Sequence, residues 1–461
     1  MMEEKLSELP KGWIWVKLGE ILEPSTKKVN PLTIEEMKYI GLEHIEKDKG
    51  TITGYGSSKE VKSTKSYFNK GDLLYGKLRP YLNKVYIAEF EGVCSSDILV
   101  FPISKNLNNK YLLYIFLNKD FSRYANLQVS GVQHPRTSFK SISKYVFPMP
   151  PLPEQHRIVD KIEELFTRLD AGIESLKKVQ AQIKRYRQAV LKHAFEGKLT
   201  AAWRETNKQR LEPASVIFNR KQKVNPKPND LQLPELPDIW EWSNVNNVSQ
   251  IISGQHILKD DYNEKEEGMP YLTGPIDFGT KHPSIRKWTS KPKAVAFEND
   301  VLVTVKGAGV GKTNILNIKE TAISRQLMAV RSTSMEPYYI YYYLVSKFPD
   351  LQKIGAGSTV PGIDRRSLLY FHIPIPPLVE QQKIVEKIER RFSIADRIEE
   401  IVDQNLKKAE RLRQSILKKA FEGKLVPQDP TDEPASVLLE RIKAEKEKNA
   451  TEKDQRRRSK K

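Results

Sequence analysis

The sequence holds a single cysteine, Cys94, in 461 residues. That excludes an internal disulfide and a cysteine-built zinc site, and it suits a reducing cytoplasm. Its seven histidines are scattered, with no His-x-x-His or His-x-x-x-His pair, so a metalloenzyme is not expected. No apolar run approaches the roughly 18 residues that span a bilayer. Residues 1–8 carry acids and no apolar core, unlike a signal peptide. Catalytic signatures are missing too. There is no Gly-x-Gly-x-x-Gly after a strand and no Gly-x-Ser-x-Gly elbow. Pro148-Met149-Pro150-Pro151 lacks the polar residue and the aromatic of the Asn/Asp-Pro-Pro-Tyr/Phe tetrapeptide that holds a target amino group in DNA amino-methyltransferases. The chain reads as a binder without chemistry or a bound cofactor of its own.

What is present is charge and apolar material. Hydrophobic residues make up 39%, enough for real cores, and the length suits two to four domains. The net charge is +19. Residues 441–461 hold ten basic and four acidic side chains, a net of +6, which leaves +13 on the body. So basic a body points to a polyanion, most simply nucleic acid. The plain alternative is a basic soluble protein.

The chain repeats itself. Leu9-Pro10-Lys11-Gly12-Trp13-Ile14-Trp15 returns as Leu236-Pro237-Asp238-Ile239-Trp240-Glu241-Trp242, and Gly71-Asp72-Leu73-Leu74 as Asn299-Asp300-Val301-Leu302. Pro150-Pro151-Leu152-Pro153-Glu154-Gln155 returns as Pro376-Pro377-Leu378-Val379-Glu380-Gln381. Ala194 to Leu199 recurs unchanged as Ala420 to Leu425, and Glu212 to Val216 as Glu433 to Val437. Matches that keep their order at this spacing mean a duplicated module, far too long for a solenoid repeat.

Each copy has a mixed front and a helical back. The fronts, 9–149 and 236–375, alternate β-rich runs with turn residues. In the backs, apolar residues recur mostly at three and four. They run Ile158, Ile162, Leu165, Leu169, Ile173, Leu176, Ile183, Val190, and then Ile384, Ile388, Phe392, Ala395, Ile398, Val402, Leu412, Ile416. Helix formers fill the gaps, prolines and an acid open each run, and Gly197 and Gly423 stand where a cap is wanted. Each helix should be about 40 residues, or about 60 Å. Helices that long are expected to pair as a coiled coil, with the seam at Ile158, Ile162, Leu165, Leu169, Ile384, Ile388, Phe392 and Ala395. Periodicity leaves their relative direction open.

Between the copies, 199–235 reads as a polar linker that includes Lys221 to Pro228. The charge run 444–461 reads as a solvated tail without fixed structure. Gly307-Ala308-Gly309-Val310-Gly311-Lys312-Thr313 resembles a phosphate-binding loop, but it is one residue short at Lys306 and leads into a β-like run. A Gly-rich hairpin bearing a lysine is the expectation, with a nucleotide-binding enzyme as the alternative function. A coiled-coil scaffold without a DNA role is a second alternative.

These motifs, present twice from Leu9 to Val437, resemble the specificity subunit of type I restriction–modification systems. The resemblance implies an α+β fold with two tandem target recognition domains, at 1–149 and 236–375. Two long helices, 150–198 and 376–424, would join them as an antiparallel coiled coil with pseudo-two-fold symmetry, followed by a C-terminal segment and tail at 425–461. It also implies a non-catalytic cytoplasmic subunit that binds a bipartite site on double-stranded DNA. Two modification subunits, which methylate adenine N6 with S-adenosylmethionine, and restriction subunits using ATP and Mg would be its partners, with no membrane involved. No base-contacting residue transfers from the resemblance. From residue chemistry alone, forked and amide side chains in loops are the candidate readers. In the first front these are Lys77, Arg79, Gln133, His134 and Arg136. In the second they are Lys306, Lys312, Arg325, Gln326, Arg365 and Arg366. Each could instead touch phosphate or stand as plain surface charge.

Overall fold

The structure, a computed structural model, describes residues 8–102, 104–129, 133–216, 233–356 and 362–458. It divides into two compact units, Met1–Leu176 with Gln404–Lys461, and Lys177–Asp403. In chain order the elements that matter here begin with β1 (Ile14–Lys17), β2 (Leu73–Gly76), β3 (Val85–Ile87) and β4 (Ile98–Phe101). Helix α1 (Asn109–Leu117), β5 (Val146–Met149) and the long α2 (Leu152–Phe195) follow. The second copy supplies β6 (Glu241–Asn244), β7 (Ser249–Ser253), β8 (Val301–Thr304), β9 (Thr313–Ile315), β10 (Leu327–Ser332), α3 (Pro337–Ser346) and β11 (His372–Ile375). The long α4 (Leu378–Phe421) and then α5 (Ala435–Arg458) complete the order.

In the first unit, β3, β2 and β4 form an antiparallel sheet. Beside it lies a five-stranded mixed sheet, with Lys38–Ile40 running parallel to Gly92–Cys94. Cys94 is buried in the small core at that sheet, where burial pushes its thiol up to about 12. The larger core joins Leu73, Tyr75 and Phe101 to the buried face of α1, with Tyr111, Leu112, Ile115 and Phe116. Asn108 starts α1 by accepting from the N–H groups of Lys110 and Tyr111. The second unit repeats the plan. Its sheet runs β7-β10-β8-β9, and α3 buries Tyr339, Ile340 and Tyr343 against it. In each unit the strand carrying the second tryptophan of the opening motif pairs with the strand that leads into a long helix. Trp15 faces Pro148 and Trp242 faces Pro374 in the same antiparallel register.

Helices α2 and α4 are both 44 residues long, and each contributes to both units. Within each unit the two segments run antiparallel. In the first, Asp170 meets Arg413, while Arg157, nearer the start of α2, meets Asp432 in the chain that follows the end of α4. In the second, Gln180 meets Asp403 while Arg187 meets Asp396. Ala395, Val402, Ala409 and Ile416 are buried at seven-residue intervals; on α2, Ile183 and Val190 are seven apart and Ile162 falls in phase with them, 21 residues before Ile183. That is the heptad of a coiled coil. Two apolar positions of the sequence pattern fall outside it. Ile398 and Leu412 are exposed, and the small Ala409 holds a buried place in the row that the apolar pattern does not include. The expected seam residues Ile158, Ile162 and Leu165 pack against the first front as well as near Ile416 and Phe421. Ile384, Ile388 and Phe392 do the same in the second unit, Leu169 is half-buried, and Ala395 is buried.

Two expectations about the polar segments change. The run from 444 onward was expected without structure, yet α5 continues through it to Arg458. Its first turns bury Ala435, Leu438 and Ile442 in the first core. Lys446 Nζ then donates to the carbonyls of Gly19, Glu20 and Leu22, at 2.9–3.0 Å. A docked start followed by Ala, Glu, Lys and Arg is enough to propagate a helix. The expected linker 199–235 begins as packed structure, with a helix at Ala201–Asn207. Its Lys221 to Pro228 stretch lies outside the described residues.

Candidate nucleic-acid interface

The duplicated motifs are the parts that seat each front. In the first unit, Trp13 donates its indole N–H to Glu154 Oε2 at 2.9 Å, and Glu154 is almost fully buried. Gln155, beside it, accepts from the N–H of Asn108 and donates to the Pro150 carbonyl. Tyr111 on α1 donates its hydroxyl to the Pro148 carbonyl at 2.8 Å. Every one of these bonds recurs in the second unit. Trp240 donates to Glu380 at 2.9 Å, Gln381 accepts from Glu336 N–H and donates to the Pro376 carbonyl, and Tyr339 donates to the Pro374 carbonyl. The Pro-Pro-Leu-x-Glu-Gln motif is therefore a socket: one side chain accepts the front's tryptophan and the next holds the start of the front's helix. Lys110 to Glu163 and Lys281 to Glu389 add a matching ion pair in each unit.

The opening prolines close on the other copy's glycine. A Cβ on Gly423 would lie 2.3 Å from Pro10, and one on Gly197 would lie 2.4 Å from Pro237. Both glycines have positive φ, +67° and +70°, so capping and close approach each demand glycine. Each front is thus gripped by the start of the long helix that follows it and by the end of the other one. A second duplicated grip lies further along the helices. Arg413 sits over the Phe166 ring and pairs with Asp170; Arg187 sits over Phe392 and pairs with Asp396 and Glu399. Stacking and ion pairing together hold the guanidinium in one place.

On the scaffold so fixed, the candidate readers gather around one loop in each unit. In the first, the loop after β2 is held on two sides: Lys77 N–H donates to the Asp97 carbonyl at 2.7 Å, and Leu78 bridges Arg136. Arg79 N–H donates to the Pro135 carbonyl at 2.7 Å. Lys77, Arg79, Gln133, His134 and Arg136 therefore sit on adjoining segments. All except the half-buried Lys77 are exposed. Arg136 is already engaged, with Nε 3.2 Å and Nη2 3.4 Å from the Asp97 carboxylate.

The second unit repeats the construction. Val305 N–H donates to the Gln326 carbonyl at 2.8 Å, Lys306 bridges Gly362, and Ile363 N–H donates back to Val305. Lys306, Arg325, Gln326, Arg365 and Arg366 are thereby exposed on neighbouring loops. Arg365 reaches Ser253 Oγ at 3.5 Å, and Arg366 lies over Tyr370. Lys312 stands on the far arm of the same hairpin, its carbonyl accepting from Thr304 N–H. The Gly307–Thr313 stretch is the turn between antiparallel β8 and β9. It leads into a strand, so it is not followed by the helix whose N-terminus a phosphate-binding loop supplies. No group of metal-ligand type occurs among the described residues, and none of their helices is long and apolar enough to cross a membrane.

The family model for the type I restriction modification DNA specificity domain matches residues 10–185 and again 237–408. The chain belongs to that family. It is 34% identical over 206 residues to the EcoDI specificity subunit of Escherichia coli, a match covering 44% of this chain and 46% of that one. In that match the chain spans about half the length of its relative. Identity to the MjaX specificity subunit of Methanocaldococcus jannaschii is 26% over 444 residues, covering 91% and 95%. Among solved structures, a chain from work on complex assembly and conformational transition of the type I R-M system superposes with a TM-score of 0.76 at 27% identity, covering 91% of this chain and all of that one. The HsdS subunit from Thermoanaerobacter tengcongensis gives 0.57 at 27% identity, covering 92% and 100%.

Within this specificity-domain family the readable signal was the motif, not its partner. The glutamates of the two sockets stood in the sequence as acids at a helix start, and nothing local tied them to tryptophans about 140 residues away. Asp97, which restrains Arg136, and the clamp arginines Arg187 and Arg413 likewise stand in no local motif. The equal offset between Phe166 and Phe392 and between Arg187 and Arg413 was the signal available for the clamps.

Proposed function

We propose that this chain is the sequence-recognising DNA subunit of a type I restriction–modification complex. In this reading each front takes one half of a bipartite double-stranded site. The observation that carries it is the twofold match to the DNA specificity domain, with each copy placing basic and amide side chains together on neighbouring, backbone-tied loops. A net charge of +19 supplies phosphate attraction and salt dependence, while a few side chains per front choose bases. The candidates for that choice are Lys77, Arg79, Gln133, His134 and Arg136 in the first front. Those of the second are Lys306, Lys312, Arg325, Gln326, Arg365 and Arg366. Front 1–149 and front 236–375 act as the two readers, and the long helices set the spacer between half-sites. The chain works in the cytoplasm and carries no catalysis. Two modification subunits bring S-adenosylmethionine and methylate adenine, and restriction subunits bring ATP and Mg.

The experiment is to co-express the chain with its modification partner and map methylated adenines in the host genome. A two-part motif with a fixed spacer is expected. Exchanging residues 9–149 for a relative's front should change one half of that motif only. Methylation without a motif, or a change in both halves, would overturn the two-reader model.

A further inference from the structure

The two fronts present the same hairpin with opposite characters. In the first unit, residues 77–84 connect β2 to β3. Arg79 and Asn83 are both left-handed, at φ 52° and 41°, and bracket a single 3-10 turn at Pro80–Leu82. Pro80 is buried, and Arg79, Lys77 and Gly76 are each tied by a backbone bond, to Pro135, Asp97 and Lys84. The turn is therefore stiff, and it holds Arg79, unlike the more permissive Asn83, in a conformation that such a side chain adopts only under constraint. It displays Tyr81, 49% exposed, beside the exposed Arg79. The Arg79 guanidinium has no hydrogen bond or ion pair among the described residues, whereas its neighbour Arg136 is spent on Asp97.

In the second unit the equivalent hairpin, 306–312, contains Gly307, Gly309 and Gly311. Gly307 has φ +90° and open space where a side chain would be. Val310 is buried and anchors the turn. What it displays is Lys306, Ala308 and Lys312, with no aromatic and no arginine. Base edges are read by rigid forks that donate twice. A bare backbone flanked by ammonium groups suits close approach to phosphate, where a lysine acts as a point charge.

We infer that the hairpins divide the work. Residues 77–84 read a base: Arg79 forks onto a guanine edge, and the Tyr81 ring packs on the adjoining step. Residues 306–312 hold the phosphate backbone through Lys306 and Lys312, leaving base choice in that front to its other loops. This rests on the DNA-recognition reading above.

The test uses the complex of the full chain with its modification subunits, on one duplex carrying the mapped motif and one scrambled duplex, over a salt series. Arg79→Lys keeps the charge and removes the fork. It should lose about 10- to 100-fold on the motif duplex, leave the scrambled duplex and the salt slope unchanged, and relax one guanine position of one half-site. Tyr81→Ala should lose less, on the motif duplex only, and Tyr81→Phe should restore it. Lys306→Gln and Lys312→Gln should weaken both duplexes alike and flatten the salt slope by about one unit each, with the methylated motif intact. Wild-type binding by Arg79→Lys on the motif duplex, or an equal loss on both duplexes, would make Arg79 a phosphate contact and overturn the proposal. So would a changed motif in either lysine variant. A wild-type complex that fails to tell the two duplexes apart would instead sink the DNA-recognition reading itself.

Discussion

At the foot of each front a tryptophan donates to a buried glutamate, but the two carboxylates keep different company. Glu154 takes the Trp13 indole and, at 3.2 Å, the neutral amide of Gln428. Burial, the largest influence, raises its carboxyl above the ordinary value of 4.5, against the pull of those two donors and of Arg157. Glu380 takes the Trp240 indole, the Thr200 hydroxyl at 2.6 Å and the Arg204 guanidinium at 2.8–3.2 Å. Arg204 is itself mostly buried and also donates to the Gly197 carbonyl. The same socket motif is thus finished with neutral donors in one unit and with a cation in the other. The tryptophan–glutamate bond is the shared requirement, and the remaining lone pairs are satisfied by whatever the end of the other helix brings.

That difference can be broken by single substitutions. Glu380→Gln should be the most damaging, because it leaves a mostly buried guanidinium without its counter-charge; breaking such a pair costs about 3–5 kcal/mol. Loss of amide protection across 378–388 in hydrogen exchange would register it, and unchanged protection would refute the pairing. Next come the capping glycines, which test what the two units share. Gly423→Ala and Gly197→Ala each add left-handed strain and push a proline, at a cost of about 2–4 kcal/mol. The two losses should match within experimental scatter, and a marked inequality would mean the grips are not equivalent. Glu154→Gln should cost least, about 1 kcal/mol, since a neutral amide still accepts from Trp13.

Acidity sharpens the comparison further. Glu154 has a raised value when folded, so just above the ordinary glutamate range the native chain binds more protons than the unfolded one. By linkage, stability from this group grows as pH falls through that window and declines as pH rises. The penalty of Glu154→Gln relative to wild type should therefore widen on acidification from neutrality toward the range near 4.5. Denaturation midpoints of the two proteins at several pH values give the measurement, and a gap that narrows on acidification would contradict the buried-carboxyl account.

Much of this was legible in the sequence because it is periodic or repeated. The duplication and the two long helices announce themselves through identical hexapeptides and apolar spacing. The coiled-coil row was blurred because Ala409 is small and Leu412 apolar, so composition favoured the wrong neighbour. The tail was misjudged because its charges hid three docking residues, Ala435, Leu438 and Ile442, in front of a run of helix formers. The hairpin after β8 was recognised as a turn, since Gly307 to Thr313 lacks the following helix. What no local pattern carries is pairing at a distance. That Pro10 needs Gly423, or Trp13 needs Glu154, follows only once the fold brings them together. Arg136 stood out among the candidate readers by its residue type, while the Asp97 that occupies it lies 39 residues earlier.

The crosswise grip also has a timetable. The second unit is one uninterrupted stretch, Lys177–Asp403, whereas the first is assembled from two stretches with that whole unit between them. On a ribosome every residue of the second unit has been made before Phe421, Gly423 and Ile442 exist to complete the first. Closing the first unit is a long-range event, slow by the entropy of joining distant segments. A nascent chain halted after residue 403 would expose the apolar flank of its first front, the stretch most in need of chaperone cover.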